Sequence, residues 1–129
     1  MANYPARSSG DQTINYLRAP FTFAVGNTGI VQVGTIPAGC VVLRAYVVVQ
    51  TVFNPGTTNT MKIGTIASDV AYGSSLSLAA VGVIAGTLAA TTAAIAPTVD
   101  TAVIATSTMT GSVATAGSAF VVVEFCPIA

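Results

Sequence analysis

The sequence contains no histidine and no tryptophan, and only 6% of its 129 residues are charged, where roughly a quarter is usual for a soluble domain. Without histidine, the chain lacks the commonest general base near neutral pH and the usual partner of a serine or cysteine nucleophile. Its acidic residues stand far apart at positions 11, 69, 100 and 124, so nothing in their spacing supports a catalytic carboxylate pair. We therefore expect a protein that is not an enzyme and has no small-molecule substrate.

Metal and cofactor motifs are missing as well. Cys40 and Cys126 are too few for a zinc site, and Asp69 and Asp100 are too isolated for a calcium loop. No glycine-rich tract is followed by the Lys-Ser/Thr pair that a phosphate-binding loop needs. We expect neither metal nor cofactor. Two cysteines make no disulfide framework, so free buried thiols are favoured over a bridge, which would require neighbouring strands.

The few charges cancel. Arg7, Arg18, Arg44 and Lys62 balance the four acidic residues, which gives a net charge of zero. Scattered cations cannot neutralise a row of phosphates, so we expect no nucleic-acid partner. A surface with so little charge also offers little repulsion between copies, and unpaired sheet edges invite pairing, so we expect a homo-oligomer, either a dimer or a trimer.

One uncharged stretch is long enough to cross a bilayer. Residues 76–96 carry no charge, but most of them are Ala, Thr, Ser and Gly, and no basic residues flank the stretch. The N-terminus lacks the apolar core of a secretory signal. We therefore expect no membrane partner and no export.

Short segments of β-branched residues, separated by Gly, Pro and Asn, predict an all-β sandwich or barrel. The strands are predicted at residues 13–17, 21–25, 30–36, 41–53, 60–66, 83–88, 103–110 and 120–125, with a break at Ala19-Pro20 and a short helical turn at 75–80. The strand 41–53 gives the clearest signal, because its period of two separates an apolar face from a mixed one. The apolar face holds Val41, Leu43, Ala45, Val47, Val49 and Thr51, and the mixed face holds Val42, Arg44, Tyr46, Val48 and Gln50.

Residues 1–12 are polar and have no period, so we predict an extended N-terminal arm held by a neighbouring subunit, followed by a single β-sandwich domain over residues 13–129. Two groups of residues are candidates for a protein interface, where Arg and Tyr are enriched. Arg44 and Tyr46 share the mixed face of the long strand, where a solvated outer sheet face is an equal alternative. The other group, near the arm, is Tyr4, Arg7, Tyr16 and Arg18.

Several segments resemble a recurring pattern in small virion proteins of tailed bacteriophages. They are Ile36-Pro37-Ala38-Gly39, the strand 41–49, the run Thr51-Val52-Phe53-Asn54-Pro55-Gly56 that continues to Gly64, and Gly111-Ser112-Val113-Ala114-Thr115-Ala116-Gly117 before the strand 120–125. The resemblance covers most of residues 30–125. It implies a head decoration or cement protein on the capsid exterior, with a jelly-roll-like antiparallel β-sandwich that bridges major capsid protein subunits and has no catalytic residues.

Two other functions are compatible with such a sandwich. The first is a module that recognises a receptor or a carbohydrate, because sandwiches readily host such sites, although the absence of Trp counts against it. The second is a structural component of the phage tail or neck.

Overall fold

In the computed structural model, which describes residues 14–24, 29–89 and 91–127, eight β-strands follow one another along the chain, with a short helix between the sixth and the seventh. The strands are β1 Asn15–Thr22, β2 Ile30–Ile36, β3 Cys40–Thr51, β4 Asn59–Thr65, β5 Gly73–Ser77, β6 Gly82–Ala85, β7 Thr101–Met109 and β8 Ser118–Pro127. The helix α1 spans Thr92–Ile95, between β6 and β7. The predicted arm at residues 1–12, with Tyr4 and Arg7, lies outside the described residues.

The strands form two antiparallel sheets with the orders β1-β8-β3-β6 and β2-β7-β4-β5. The pairs β1/β8, β2/β7, β3/β6 and β4/β5 each join strands whose numbers add to nine, and β8/β3 and β7/β4 complete the two sheets. This is the order that results when one long hairpin of four strand pairs wraps around a core, which is the jelly-roll arrangement. The predicted jelly-roll-like β-sandwich is therefore confirmed.

Successive connections alternate between the two ends of the sandwich. The β1–β2, β3–β4, β5–β6 and β7–β8 connections meet at one end, which we call the tip. The β2–β3, β4–β5 and β6–β7 connections meet at the opposite end, which we call the base. Every strand thus runs between tip and base, and loops that are distant in sequence become neighbours.

The core lies between the two sheets and consists of the inward-facing residues of both. Phe21 and Phe53 lie at its tip side, with ring centroids 5.9 Å apart and planes tilted by 51°. Branched aliphatic residues fill most of the remainder, including Val47, Val49, Val103, Val121 and Val123, together with Ile36, Met61, Ile63 and Leu78. Burial of these side chains is the main stabilising term of such a fold, at roughly 1.5–3 kcal/mol for each large apolar side chain.

The long strand β3 departs from the predicted faces at its beginning. Its register against β8 shifts between Val42 and Arg44, so Leu43 is the extra residue of a β-bulge. Cys40 and Val42 consequently face the core, whereas Val41 and Leu43, which belong to the predicted apolar face, do not. The prediction is correct for Ala45, Val47 and Val49, and a second shift near Gln50 leaves Thr51 exposed.

Two further predictions about local structure are wrong. β1 continues through Ala19-Pro20, because it is an edge strand in which a missing N–H group need not interrupt the sheet. Residues 73–77 form β5 instead of the start of a helical turn, because Leu76 is buried opposite Met61 of β4. Ser75 has a φ of 56° at the irregularity between these two strands.

The uncharged stretch at residues 76–96 includes the end of β5, all of β6 and the helix α1. The helix is tied to the core by Tyr72, whose hydroxyl donates a hydrogen bond of 2.7 Å to the carbonyl of Ala94. Within the described ranges, no helix is long and apolar enough to cross a membrane.

Candidate protein interface

The outer faces of the two sheets differ in chemistry. The outer face of β2-β7-β4-β5 is rich in hydroxyl side chains, among them Thr60, Thr106, Thr108 and Ser77, and Lys62 lies on it. The outer face of β1-β8-β3-β6 instead carries aromatic, aliphatic and ionised side chains together. We call this second surface the aromatic face. Of the two outer faces, it has the composition typical of protein interfaces.

Strand register fixes the arrangement of the aromatic face in three rows. The row nearest the base is Tyr16, Glu124 and Arg44, the next is Arg18, Val122, Tyr46 and Ala85, and the third is Pro20, Phe120, Val48 and Val83. The bulge at Leu43 permits this order, because it lets Arg44 face outward although Val42 faces the core. Each row crosses β1, β8 and β3, so residues from three separate parts of the chain form one surface.

One carboxylate oxygen of Glu124 joins two side chains of β3. Its Oε2 atom lies 2.9 Å from Nη2 of Arg44 and accepts a hydrogen bond of 3.0 Å from the Tyr46 hydroxyl. The Arg44 guanidinium also lies 5.3 Å from the centroid of the Tyr46 ring. On the neighbouring strand, the Arg18 guanidinium lies 4.7 Å above the Phe120 ring. Both cations therefore cover aromatic rings of their own sheet.

These contacts change the acidity of the two partners. The hydrogen bond from Arg44 holds the pKa of Glu124 below its usual value, against the opposing effect of partial burial. The pKa of Tyr46 is raised, first by desolvation and then by its hydrogen bond to the Glu124 carboxylate. At neutral pH the face therefore presents an ionised glutamate, a neutral tyrosine and two arginines.

Two shallow grooves cross the face, and Tyr46 borders both. The larger has a volume of about 380 Å³ and lies between β1 and β3, over Val122. Its other walls come from Ile14, Tyr16, Arg18, Phe120 and Glu124. The smaller, of about 300 Å³, lies between Arg44 and the edge residues Val83 and Ala85. Apolar floors with a few polar groups at their borders suit a protein partner.

Four of the six residues predicted for an interface lie on this one face. Arg44 and Tyr46 are on β3, and Tyr16 and Arg18 are on β1, on the other side of β8. The structure thus joins the two predicted groups into a single surface. Tyr4 and Arg7 lie outside the described residues, so their part in the surface stays a prediction.

The fold can be compared with those of known proteins. No family model and no curated protein matches this sequence. Among solved structures, one similar chain belongs to the cyanophage Pam1 capsid asymmetric unit, with a TM-score of 0.65 and 18% sequence identity. The alignment covers 98% of this chain and 94% of that one. The two chains share a fold. The likeness extends over the whole sandwich and is not confined to one sheet.

The residues that β8 contributes to the aromatic face were not predicted from the sequence; they are Glu124, Phe120 and Val122. A signal was present, because Glu124 is the one glutamate of the chain and stands within an otherwise apolar strand. Its importance depends on β8 lying between β1 and β3, which the sequence of β8 does not specify.

The two cysteines lie on neighbouring strands but face opposite ways. Cys126 is opposite Val41 and points outward, whereas Cys40 is opposite Pro127 and points into the core. Both are free thiols, as expected, but only Cys40 is buried. Burial raises the pKa of the Cys40 thiol, and the proximity of Cys126 raises it further.

Proposed function

We propose that the protein is a structural component of a bacteriophage virion that decorates the capsid and cements it by bridging major capsid protein subunits. The observation that carries this proposal is the fold shared with a chain of the cyanophage Pam1 capsid asymmetric unit, over nearly the full length of both chains. On this proposal the protein is made in the host cytoplasm, binds the capsid exterior and catalyses no reaction.

The chemistry of the chain is consistent with such a role. A cement protein binds only the assembled lattice, so it stabilises the shell by mass action on that form. Repetition of the same contact around a symmetric shell allows each single contact to be modest. A sandwich with few charges presents mostly uncharged surface for such contacts, because few ions need to be desolvated when the surface is buried.

The aromatic face is proposed to contact a second copy of the chain. It carries both signs of charge, and Arg18 has no carboxylate partner among the described residues. The Arg18 guanidinium is thus available to a carboxylate of a second copy, and the exposed ring of Tyr16 adds apolar area next to the groove. This arrangement would make the protein a homo-oligomer whose copies bridge adjacent capsid subunits.

The test is to mix the purified protein with expanded and unexpanded capsids of the phage that encodes it, and to image both by electron cryomicroscopy. We expect regularly spaced density on the outer surface of expanded capsids. If neither capsid form acquires density, the cement function is wrong. Density found only at the tail or neck of whole virions would support the alternative structural role.

Recognition of a carbohydrate is the second candidate, and the aromatic groove of about 380 Å³ is the feature that favours it. Sugar rings stack on open aromatic faces. The rings of Phe120 and Tyr46, however, are each approached by an arginine guanidinium, which leaves Tyr16 as the most exposed ring. A glycan array probed with the protein tests this reading, and binding that is lost in Tyr16→Ala would favour it over the capsid role.

A further inference from the structure

The four loops at the tip are bound to one another. The side chain of Asn54 accepts hydrogen bonds of 2.9 Å from the backbone N–H groups of Thr115 and Ala116, and its amide donates to the Thr115 hydroxyl at 3.1 Å. Backbone hydrogen bonds also join Gly56 to Ser112 and Phe23 to Gly117. A further bond, from Phe53 to Leu78, brings in the β5–β6 loop. The tip is therefore a connected surface and not a set of independent loops.

None of the described charged residues belongs to this surface. Residues 19–43, 45–61, 70–99 and 101–123 contain no Asp, Glu, Lys or Arg, and these ranges include all four tip connections. The six charged residues of the described chain lie at mid-strand or toward the base. The described part of the molecule is thus polarised along its length, because its charged residues lie at mid-strand or toward the base and none of them lies at the tip.

The tip also exposes apolar side chains. Val113 of the β7–β8 loop is 70% exposed and Val81 of the β5–β6 loop is 66% exposed, and Phe23 and Val52 are also exposed. The base exposes apolar residues too, such as Val99 at 67%. There, however, they stand among ions: Asp69 pairs with Lys62 at 3.3 Å, and Asp100 accepts a hydrogen bond from the Ala38 N–H group. Of the two ends as formed by residues 14–24, 29–89 and 91–127, the tip is the one that combines exposed apolar side chains with the absence of charge.

We propose that the tip is the surface by which the protein attaches to the capsid shell, with the base directed toward solvent. This inference rests on the proposed capsid function and adds the orientation of the molecule and the chemistry of its partner. Because the tip offers no ion to compensate a buried charge, its partner must be an apolar, uncharged patch on the outer surface of the shell. The aromatic face, which bears ions of both signs, is left for contact between copies.

Charge substitutions at matched positions test this orientation. Val113→Asp and Val113→Lys place either sign of charge at the tip, and Val99→Asp and Val99→Lys do the same at the base, at nearly equal exposure. Binding of each full-length variant to expanded capsids is measured by co-sedimentation. Far-UV circular dichroism and thermal melts of each variant check that the exposed substitutions leave the fold intact.

We expect both Val113 variants to bind roughly tenfold or more weakly than the wild type, because an unpaired charge would be buried whatever its sign. Both Val99 variants should bind like the wild type. Wild-type affinity in the Val113 variants would overturn the assignment of the tip while leaving the capsid function in place. Opposite effects of Asp and Lys would also overturn it, since they would indicate long-range attraction instead of a dry contact.

Two other results also overturn the inference. If the Val113 variants change the mass of the free protein in solution, the tip is a contact between copies and not a contact with the shell. If the wild type itself binds no capsid form, the proposed capsid function is wrong, and the proposed contact between the tip and the shell is wrong as well.

Discussion

Nη2 of Arg44 lies 2.9 Å from Oε2 of Glu124, across the pairing of β3 with β8 in the row of the aromatic face that is nearest the base. This ion pair exists because the bulge at Leu43 turns Arg44 outward without exposing Val42. The Tyr46 hydroxyl donates to the same carboxylate oxygen, so two side chains of β3 depend on one residue of β8. A small backbone irregularity thus determines where the charges of the face meet.

The lowered pKa of Glu124 predicts how stability depends on pH. A carboxyl group with a lower pKa in the folded state stabilises the fold above its unfolded pKa, about 4.3, and this contribution is lost as the pH falls through the folded value. Glu124→Gln lacks the contribution at every pH. We therefore expect the wild type to be more stable than Glu124→Gln at neutral pH, and the difference to shrink below about pH 4. Urea unfolding of both proteins across this range is the measurement, and a difference that stays constant into acid would contradict it.

Replacement of Tyr16 distinguishes whether the aromatic face is a protein interface or a solvated outer sheet face. Tyr16 is 64% exposed, so Tyr16→Ala should change the free energy of unfolding by no more than about 0.5 kcal/mol. If the aromatic face joins two copies, the same change should weaken self-association by about tenfold. Analytical ultracentrifugation measures this, with Thr108→Ala on the outer face of the other sheet as the control. If Tyr16→Ala, Thr108→Ala and the wild type all self-associate equally, the aromatic face is a solvated surface and not a contact between copies.

Gly117 and Gly82 share a φ of 140° but differ in their surroundings. A Cβ atom at Gly117 would lie 2.9 Å from Cε2 of the Phe53 ring and closer still to Cγ and Cδ2, whereas at Gly82 it would meet open space. We expect Gly82→Ala to lower the free energy of unfolding by about 1 kcal/mol through backbone strain alone. Gly117→Ala should cost roughly 1–3 kcal/mol more, because the Phe53 ring must move. Urea denaturation of both variants tests this. Equal decreases in the free energy of unfolding would show that the Phe53 ring moves aside without destabilising the fold.

The opposite orientations of the two cysteines predict different reactivities. A thiol-specific reagent should modify Cys126 first, and Cys40 at least about tenfold more slowly, because burial both shields Cys40 and raises its pKa. Both should react once the chain is unfolded. Timed modification followed by peptide mass spectrometry identifies each site. A disulfide between Cys40 and Cys126 under mild oxidation of the folded protein would contradict the strand register.

Deletion of residues 2–12 tests the predicted arm. The deleted segment precedes Ile14, where the described chain begins, and none of the strands includes it. We expect the truncated protein to melt within a few degrees of the full-length protein, because the sandwich core is retained. The arm precedes the end of β1 that lies at the base, so it is expected to act by its predicted contact with a neighbouring subunit and not through the tip. On that prediction, the occupancy of the truncated protein on capsids, measured by co-sedimentation, should fall. Unchanged occupancy would show that the arm takes no part in attachment.

Much of the strand pattern could be predicted from the sequence, because side-chain alternation and turn residues act locally. The strand at residues 30–36 was predicted with the bounds that β2 has, and most of β3 and β8 was located. The errors share a cause. Pro20 is tolerated because β1 is an edge strand, and β5 forms because β4 lies beside it, so in both cases a partner strand decided the local structure.

The candidate surface shows the same division. Arg44 and Tyr46 could be selected together because they are two residues apart on one strand. Arg44 and Tyr46 share a surface with Tyr16, Arg18 and Glu124 only because β8 lies between β3 and β1, and the sequence does not show that strand order. The bulge at Leu43 could not be foreseen, because a bulge is a mismatch between two strands and not a property of one.

By itself, the sequence determined that the chain is built of short strands and that charge is absent from long stretches of it, because composition and alternation are properties of local segments. Only the tertiary structure decided that four of those uncharged stretches meet at one end of the molecule. Jelly-roll wrapping places alternate connections at the same end, so Phe23 and the loops at residues 52–58, 78–81 and 110–117 converge at the tip although they are far apart along the chain. That convergence depends on which strands pair, and strand pairing is set by the packing of both sheets against a common core.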